Sequence, residues 1–174
     1  VANMIRSVIS RAVNGRVGEQ KHLTAEDFAD ATAEFRNVFL RQDEMRYTDE
    51  QLQQYTPEQL VEQLEERAFD IYSKKEAILG SPLMRELERV MMLRVVDEYW
   101  MDQIDALDEL KQGIRLRAYG QENPVVAYKR EGYEMFESMI AAIQEETVRR
   151  IYITQVREKV ERKAVAQVTG ESGG

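Results

Sequence analysis

Histidine is the side chain that most readily carries proton or metal chemistry near neutral pH. This sequence has one, His22, and it falls in a stretch read as a solvent-exposed loop. A metal site on facing helices needs paired Glu-x-x-His, and a single histidine cannot supply it. Cysteine is absent, so there is no disulfide framework, thiol nucleophile or thiolate metal site. No GxxxxGK(S/T) loop, GxGxxG turn or GxSxG elbow occurs. Acids are plentiful, but paired-carboxylate chemistry needs a site that shifts their pKa values, and no pair is marked as buried by its neighbours. The expectation is a chain with no catalytic residues, metal or cofactor of its own, which acts by binding.

The residues that stand out for binding are basic and aromatic. Residues 110 to 130, LKQGIRLRAYGQENPVVAYKR, carry Lys111, Arg115, Arg117, Lys129 and Arg130 against one acid, Glu122, in a protein of net charge -8. Tyr119-Gly120 and Asn123-Pro124 break the stretch in its middle. Arg115 and Arg117 can be read as cations that complement a helix C-terminal dipole. Lys129 and Arg130 fall one turn into the next helix, where that dipole disfavours them, which suggests a contact outside the chain. Composition leaves both readings open.

Helices must position this turn. Met4, Ile5, Val8, Ile9 and Ala12 follow helical spacing up to Asn14-Gly15. Residues 15 to 22 read as a loop. Thr24 with Asp27 forms a capping box for a helix whose apolar positions are Phe28, Ala31, Phe35, Val38 and Phe39. A polar break covers Asp43 to Asp49. Thr56-Pro57 with Gln59 starts the next helix, which carries Leu60, Leu64, Ala68, Ile71, Tyr72 and Ile78 and ends at Gly80. Ser81-Pro82 starts a long helix with the stripe Leu87, Val90, Leu93, Val96, Trp100, Ile104, Leu107, Leu110 and Ile114. Its end lies between Gln112 and Tyr119. Asn123 caps a last long helix with the stripe Tyr133, Phe136, Ile140, Ile143, Thr147 and Ile151, then Val156 and Val160. The two stripes are expected to bury each other in an antiparallel hairpin, with Trp100 a core residue. No strand alternation and no internal repeat is visible, so the class is all-α.

The 174 residues, 43% hydrophobic and 32% charged, suit one medium domain or two small ones. No apolar run reaches the roughly 18 residues of a membrane-spanning helix, and no signal-peptide pattern is present. Residues 19 to 70 hold 14 acids and five bases, a balance of -9, so the acidity is local. The negative total of -8 argues against nucleic acid as a partner. The chain begins at Val1 inside an apolar pattern, and a longer parent protein is expected.

Residues 93 to 140, LRVVDEYWMDQIDALDELKQGIRLRAYGQENPVVAYKREGYEMFESMI, strongly resemble the C-terminal half of SecA, the bacterial preprotein translocase motor. The match rests on Trp100, Ile104, Leu107, Asp108, Leu110, Lys111, Gln112, Gly113, Ile114, Leu116, Arg117, Tyr119, Gln121, Pro124, Tyr128, Lys129, Arg130 and Glu131. Gln103 stands where a histidine is usual in the family, and Lys111 where arginine is usual. The resemblance implies four segments: residues 1–14 as the end of a long scaffold helix, 15–80 as a helical wing, 81–168 as the return scaffold helix and two-helix finger, and 169–174 as a flexible tail. It implies a finger tip (Arg115, Arg117, Tyr119, Gln121, Lys129 and Arg130) that contacts the SecY channel complex and the unfolded preprotein. Further partners implied are the nucleotide-binding and preprotein-binding domains of the same motor and an anionic lipid surface. The implied location is the cytoplasmic face of the plasma membrane, as a peripheral protein. ATP and Mg²⁺ belong to the parent motor and not to this chain. A stand-alone helical adaptor that dimerises through its hairpin is the alternative reading.

Overall fold

Threonine starts three of the helices, and for one reason. Thr24, Thr48 and Thr56 each accept a hydrogen bond from the amide three residues on, while the side-chain oxygen there (of Asp27, Gln51 or Gln59) accepts one from the threonine amide. Two otherwise orphaned donors are satisfied at each start. The computed structural model describes residues 1–17, 22–117 and 123–155. Among these every regular element is helical: α1 (Ala2–Asn14), α2 (Ala25–Ala33), α3 (Asp49–Leu52), α4 (Pro57–Leu79), α5 (Ser81–Arg117) and α6 (Pro124–Ile153). Residues 156 to 174, with Val156, Val160 and the tail, lie outside the described residues.

Two boundaries differ from the sequence expectation. α2 stops at Ala33 and does not continue to Phe39. Asn37 takes the left-handed conformation, φ 63°, and the amides of Phe39 and Leu40 both donate to the Phe35 carbonyl. This tight loop folds Phe35 and Phe39 back to stack at 4.9 Å in the core, so burial is achieved without helix. The four-residue α3 was not anticipated, because it is too short to show an apolar period.

The α4–α5 corner is one residue wide. Gly80 has φ 80° and ψ 146°, a region open to glycine and closed to side-chain-bearing residues. Its amide closes α4 on the Glu76 carbonyl at 2.8 Å, and its carbonyl receives the Met84 amide at 3.0 Å to open α5. Gly80, and not Ser81, therefore holds the cap position of α5. Arg85 locks the corner by donating to Tyr72 Oη at 2.7 Å and Glu76 at 3.0 Å, and it pairs with the buried Glu88 at 3.2 Å. Tyr72 donates a very short bond to Glu88. Burial, and then Glu88, push the Tyr72 phenol up to about 12.

The main core collects Ile5, Val8, Ile9 and Val13 of α1, Phe28 of α2, Leu52 of α3, Leu60, Leu64 and Ala68 of α4, and Val148 and Tyr152 of α6. α5 and α6 form the long antiparallel hairpin, whose inner contacts centre on Val95, Met139 and Ile143. The stripe expected on α5 is buried at its two ends, Leu87 and Ile114, but its middle turns away from that seam. Leu93 is 48% exposed, Trp100 50% and Ile104 44%. On α6, Tyr133, Phe136 and Ile140 are exposed as well. Between those ends the buried line of α5 runs through Val95 and Gln103, with Met84 and Glu88 beside Leu87. A two-helix seam covers only a narrow strip of each helix, so the wide apolar arc of α5 cannot all be buried by α6. Trp100 is thus not a core residue.

Thr147 is fully buried in α6, and its Oγ1 has no hydrogen-bond partner among the described residues. Thr147→Val keeps the shape and removes the unsatisfied hydroxyl, so stability should rise by about 1 kcal/mol. A thermal melt reads this directly: the midpoint should move up by about 2–4 °C, and a lower midpoint would contradict the assignment.

Candidate functional site

The far end of the hairpin brings together part of the expected contact set. α5 ends at Arg117, inside the window expected for it. Ile114 is buried while Lys111 and Arg115 are exposed. Asn123 caps α6 by accepting from the Val125 amide at 2.9 Å, and Pro124 takes the first helical position. Ala127 is buried, Val125 and Val126 are 61% and 56% exposed, and Lys129 and Arg130 are exposed. Arg130 pairs with Glu131 at 3.8 Å. A helix start with no acid in its first turn but two cations just beyond it runs against the macrodipole. Tyr119, Gln121 and the side chain of Arg117 lie outside the described residues.

Helix register places these groups. A Cβ on Gly132 would stand 3.6 Å from Leu107 and 3.9 Å from Leu110, so α6 approaches α5 closely there. At the other end Arg150 grips Glu98 with both terminal nitrogens, at 2.9 and 2.5 Å, and Glu146 with Nε at 2.6 Å. Arg149 adds 2.7 and 2.9 Å bonds to the same Glu146. The guanidiniums of Arg149 and then Arg150 hold the Glu146 carboxyl down at about 2, against burial. This bidentate clamp keeps the hairpin in register.

Between these ends lies a groove of about 560 Å³ that sequence reasoning did not find. Tyr99, Asp102, Gln103 and Ala106 of α5 line it with Glu131, Glu134, Met135, Ser138, Met139 and Ala142 of α6. Its floor is methionine and alanine, and its rim carries three acids. Gln103 is 91% buried, and its Nε2 has no partner among the described residues. The acids and methionines repeat at helical spacing in the sequence. What hid the groove is that Gln103 reads as an ordinary surface polar residue until α6 covers it.

His22 is exposed, as expected for a loop residue. Among the described residues no group of three His, Cys, Asp or Glu is placed to hold a metal ion. No helix among them is long and apolar enough to cross a membrane.

The family description "SecA Wing and Scaffold domain" matches residues 1–155. The chain is 40% identical over all 174 residues to the protein translocase subunit SecA of Finegoldia magna, covering 19% of that protein. It is 44% identical over 168 residues to the SecA of Carboxydothermus hydrogenoformans, again 19% of the whole. Against the SecA of Clostridium perfringens it is 41% identical over 179 residues, 21% of that protein. The chain therefore spans about a fifth of the length of the curated relatives it matches.

Two measurements check this geometry. Trp100→Ala should cost no more than about 1.5 kcal/mol, because half of the side chain already meets water. Leu64→Ala, in the main core, should cost about 2–5 kcal/mol; equal losses in urea titrations would put Trp100 back in a core. The Glu146 pKa is lowered on folding, so its stabilisation is present above the unfolded value near 4.5 and lost as pH falls towards about 2. Glu146→Gln should cost about 1–2 kcal/mol near neutral pH and much less at about pH 3. A pH-independent cost would show that the clamp does not depend on the carboxylate charge.

Proposed function

The chain belongs to the SecA wing and scaffold family, and from that premise we propose that it works by binding, as the scaffold, wing and two-helix finger of a protein-translocating motor. In this reading residues 1–14 and the start of α5 are scaffold, and residues 15–80 form the wing. The α5–α6 hairpin, within residues 81–168, is the finger, and its tip meets the SecY channel complex and the unfolded preprotein. The observation that carries the reading is the end of the hairpin. A 37-residue helix is about 55 Å long at 1.5 Å per residue. It holds Arg115 exposed near one end, facing an α6 start that exposes Val125, Val126, Lys129 and Arg130. A stiff hairpin carrying exposed cations and apolar groups on its last turns suits reversible contact with carbonyl and carboxylate groups of a channel mouth and with unfolded chain. Anionic lipid headgroups beside that mouth would meet the same cations.

Two further features support the reading. The acid-rimmed, methionine-floored groove offers an apolar, adaptable bed for a client segment that carries cations. The exposed flank of Leu93, Trp100, Ile104, Phe136 and Ile140 is a surface for the other four-fifths of the motor, its nucleotide-binding and preprotein-binding domains. ATP and Mg²⁺ would act there and not on these residues. The working location in this reading is the cytoplasmic face of the plasma membrane, where the motor sits as a peripheral protein.

The test uses Tyr119, which in this reading stands at the tip with Arg117 and Gln121. Tyr119→Ala in the full-length motor should slow preprotein translocation several-fold, while the 174-residue chain carrying it melts within about 0.5 kcal/mol of the parent. Translocation at the parent rate would remove the tip-contact reading. A melting loss as large as that of Leu64→Ala would make Tyr119 a packing residue instead.

A further inference from the structure

We propose that the groove between α2 and the loop of residues 36–47 binds an extended segment of a second polypeptide, one with a carboxylate beside an apolar side chain. The groove measures about 680 Å³ and is lined by Phe28, Ala29, Ala33, Arg36, Met45, Arg46 and Tyr47, among others. That size falls within the roughly 300–1,000 Å³ of ligand sites. Its location, in the acidic half of the chain and away from the α5–α6 hairpin, makes the inference independent of the finger reading.

Its floor is apolar and rigid. The Phe28 and Tyr47 rings meet at 5.4 Å, Tyr47 meets Tyr55 at 5.6 Å, and Tyr47 Oη donates to Gln63 at 2.9 Å. On the α2 side Ala29 and Ala33 are exposed and short, so a bound backbone can approach closely. Asn37 and Met45, with φ of 63° and 50°, hold left-handed conformations that residues with a side chain rarely adopt. The loop that shapes the groove is therefore set before anything binds, which lowers the cost of binding.

The charge in the groove is opposite to that of its surroundings. Residues 19 to 70 sum to -9, yet Arg36 and Arg46 both line this space. Arg36 is fixed by neutral groups: it donates to the carbonyls of Arg41 at 2.7 Å and Glu44 at 2.5 Å and to Thr32 Oγ1 at 3.3 Å. Arg46 donates from Nε to the Gln42 carbonyl at 2.7 Å. Its terminal nitrogens have no hydrogen-bond partner among the described residues. Burial, and then the Arg46 charge, push the Arg36 guanidinium down from its usual value, while Glu44 and Asp43 offset part of this. The Glu44 carboxylate is itself held by Arg67 at 2.6 Å. A carboxylate arriving at Arg46 would relieve this repulsion with a charge-assisted bond.

Charge and shape together select the occupant. A polyanion such as an anionic membrane or a nucleic acid would meet the surrounding acids, whereas one carboxylate on an apolar peptide meets only the groove. The exposed Arg46 at the rim suits a reversible contact with a separate chain, since permanent interfaces are more hydrophobic.

The probe is the capped tripeptide acetyl-Phe-Glu-Leu-amide, titrated into the isotope-labelled 174-residue chain while the amides of Ala29, Ala33 and Met45 are followed by NMR. Saturable shifts at those amides are expected. A probe with Gln in place of Glu should bind about tenfold more weakly, and Arg46→Gln should weaken the Glu probe by about the same factor, as for the loss of one charged bond. Arg46 is exposed, so unchanged spectra elsewhere will confirm that the variant folds. Ala33→Glu, which places a like charge in the groove, should abolish the shifts. The proposal is overturned by no saturable shift, by equal affinity for the two probes, or by shifts centred on the α5–α6 groove. Sodium acetate reproducing every shift would overturn the peptide component, and displacement of the probe by phosphatidylglycerol vesicles would point to a lipid surface instead.

Discussion

The last two turns of α6 tie the molecule together. Tyr152 is 9% exposed and donates its hydroxyl to the Ala68 carbonyl of α4 at 2.8 Å, with its ring 5.4 Å from Phe39. Burial pushes its phenol well above the usual range. Lys75 of α4 then reaches the carbonyls that α6 leaves open at its end, donating to Ile151, to Tyr152 at 3.0 Å and to Thr154 at 2.6 Å. Helix C-termini leave carbonyls without partners, and a cation supplied from another helix satisfies them and complements the dipole. Burial lowers the Lys75 pKa, but the three carbonyls give its ammonium a full set of acceptors.

The consequences of that joint run outward. α6 serves three clusters: Val148 and Tyr152 enter the α1/α4 core, Ile151 packs on Met84 and Leu87 at the start of α5, and Met139 and Ile143 pair with the middle of α5. With the end of α6 held by α4, and with α4 turned into α5 at Gly80, the hairpin cannot swing without breaking either the Tyr152 and Lys75 contacts or the Arg85, Tyr72 and Glu88 cluster. The Glu98–Arg150 clamp adds a third restraint near the same end. These three restraints all lie at the base of the hairpin.

The hairpin also shows why apolar residues need not mean core. Leu93, Trp100 and Ile104 lie on one flank of α5. The register that sets Val95 against Met139 and Ile143, and Leu107 near Gly132, brings Phe136 and Ile140 level with that flank on α6. A two-helix layer buries one seam and leaves its flanks for a third layer. In a chain that spans about a fifth of its relatives' length, such a flank is consistent with the scaffold role in the family's description.

The all-α class, the helix starts at Thr24, Thr56 and Asn123, the break at Gly80 and the end of α5 before Tyr119 were all legible in the order of residues. These are local chemistry: a hydroxyl or amide cap, a proline at the first helical position and a glycine in a conformation others avoid, each legible within four or five residues. The family was legible too, because residues 93 to 140 match along their length. Which face of each long helix is buried was set by packing between helices, because periodicity reports an apolar arc and not which part of that arc a neighbour covers. That is why Trp100 read as core, and why Gln103, a polar letter, turned out to be 91% buried. Packing also decided that Phe35 and Phe39 are buried from a loop, and that Arg36 and Arg46 meet across one groove. Contacts of that kind depend on how the chain returns on itself, which no short window of sequence records.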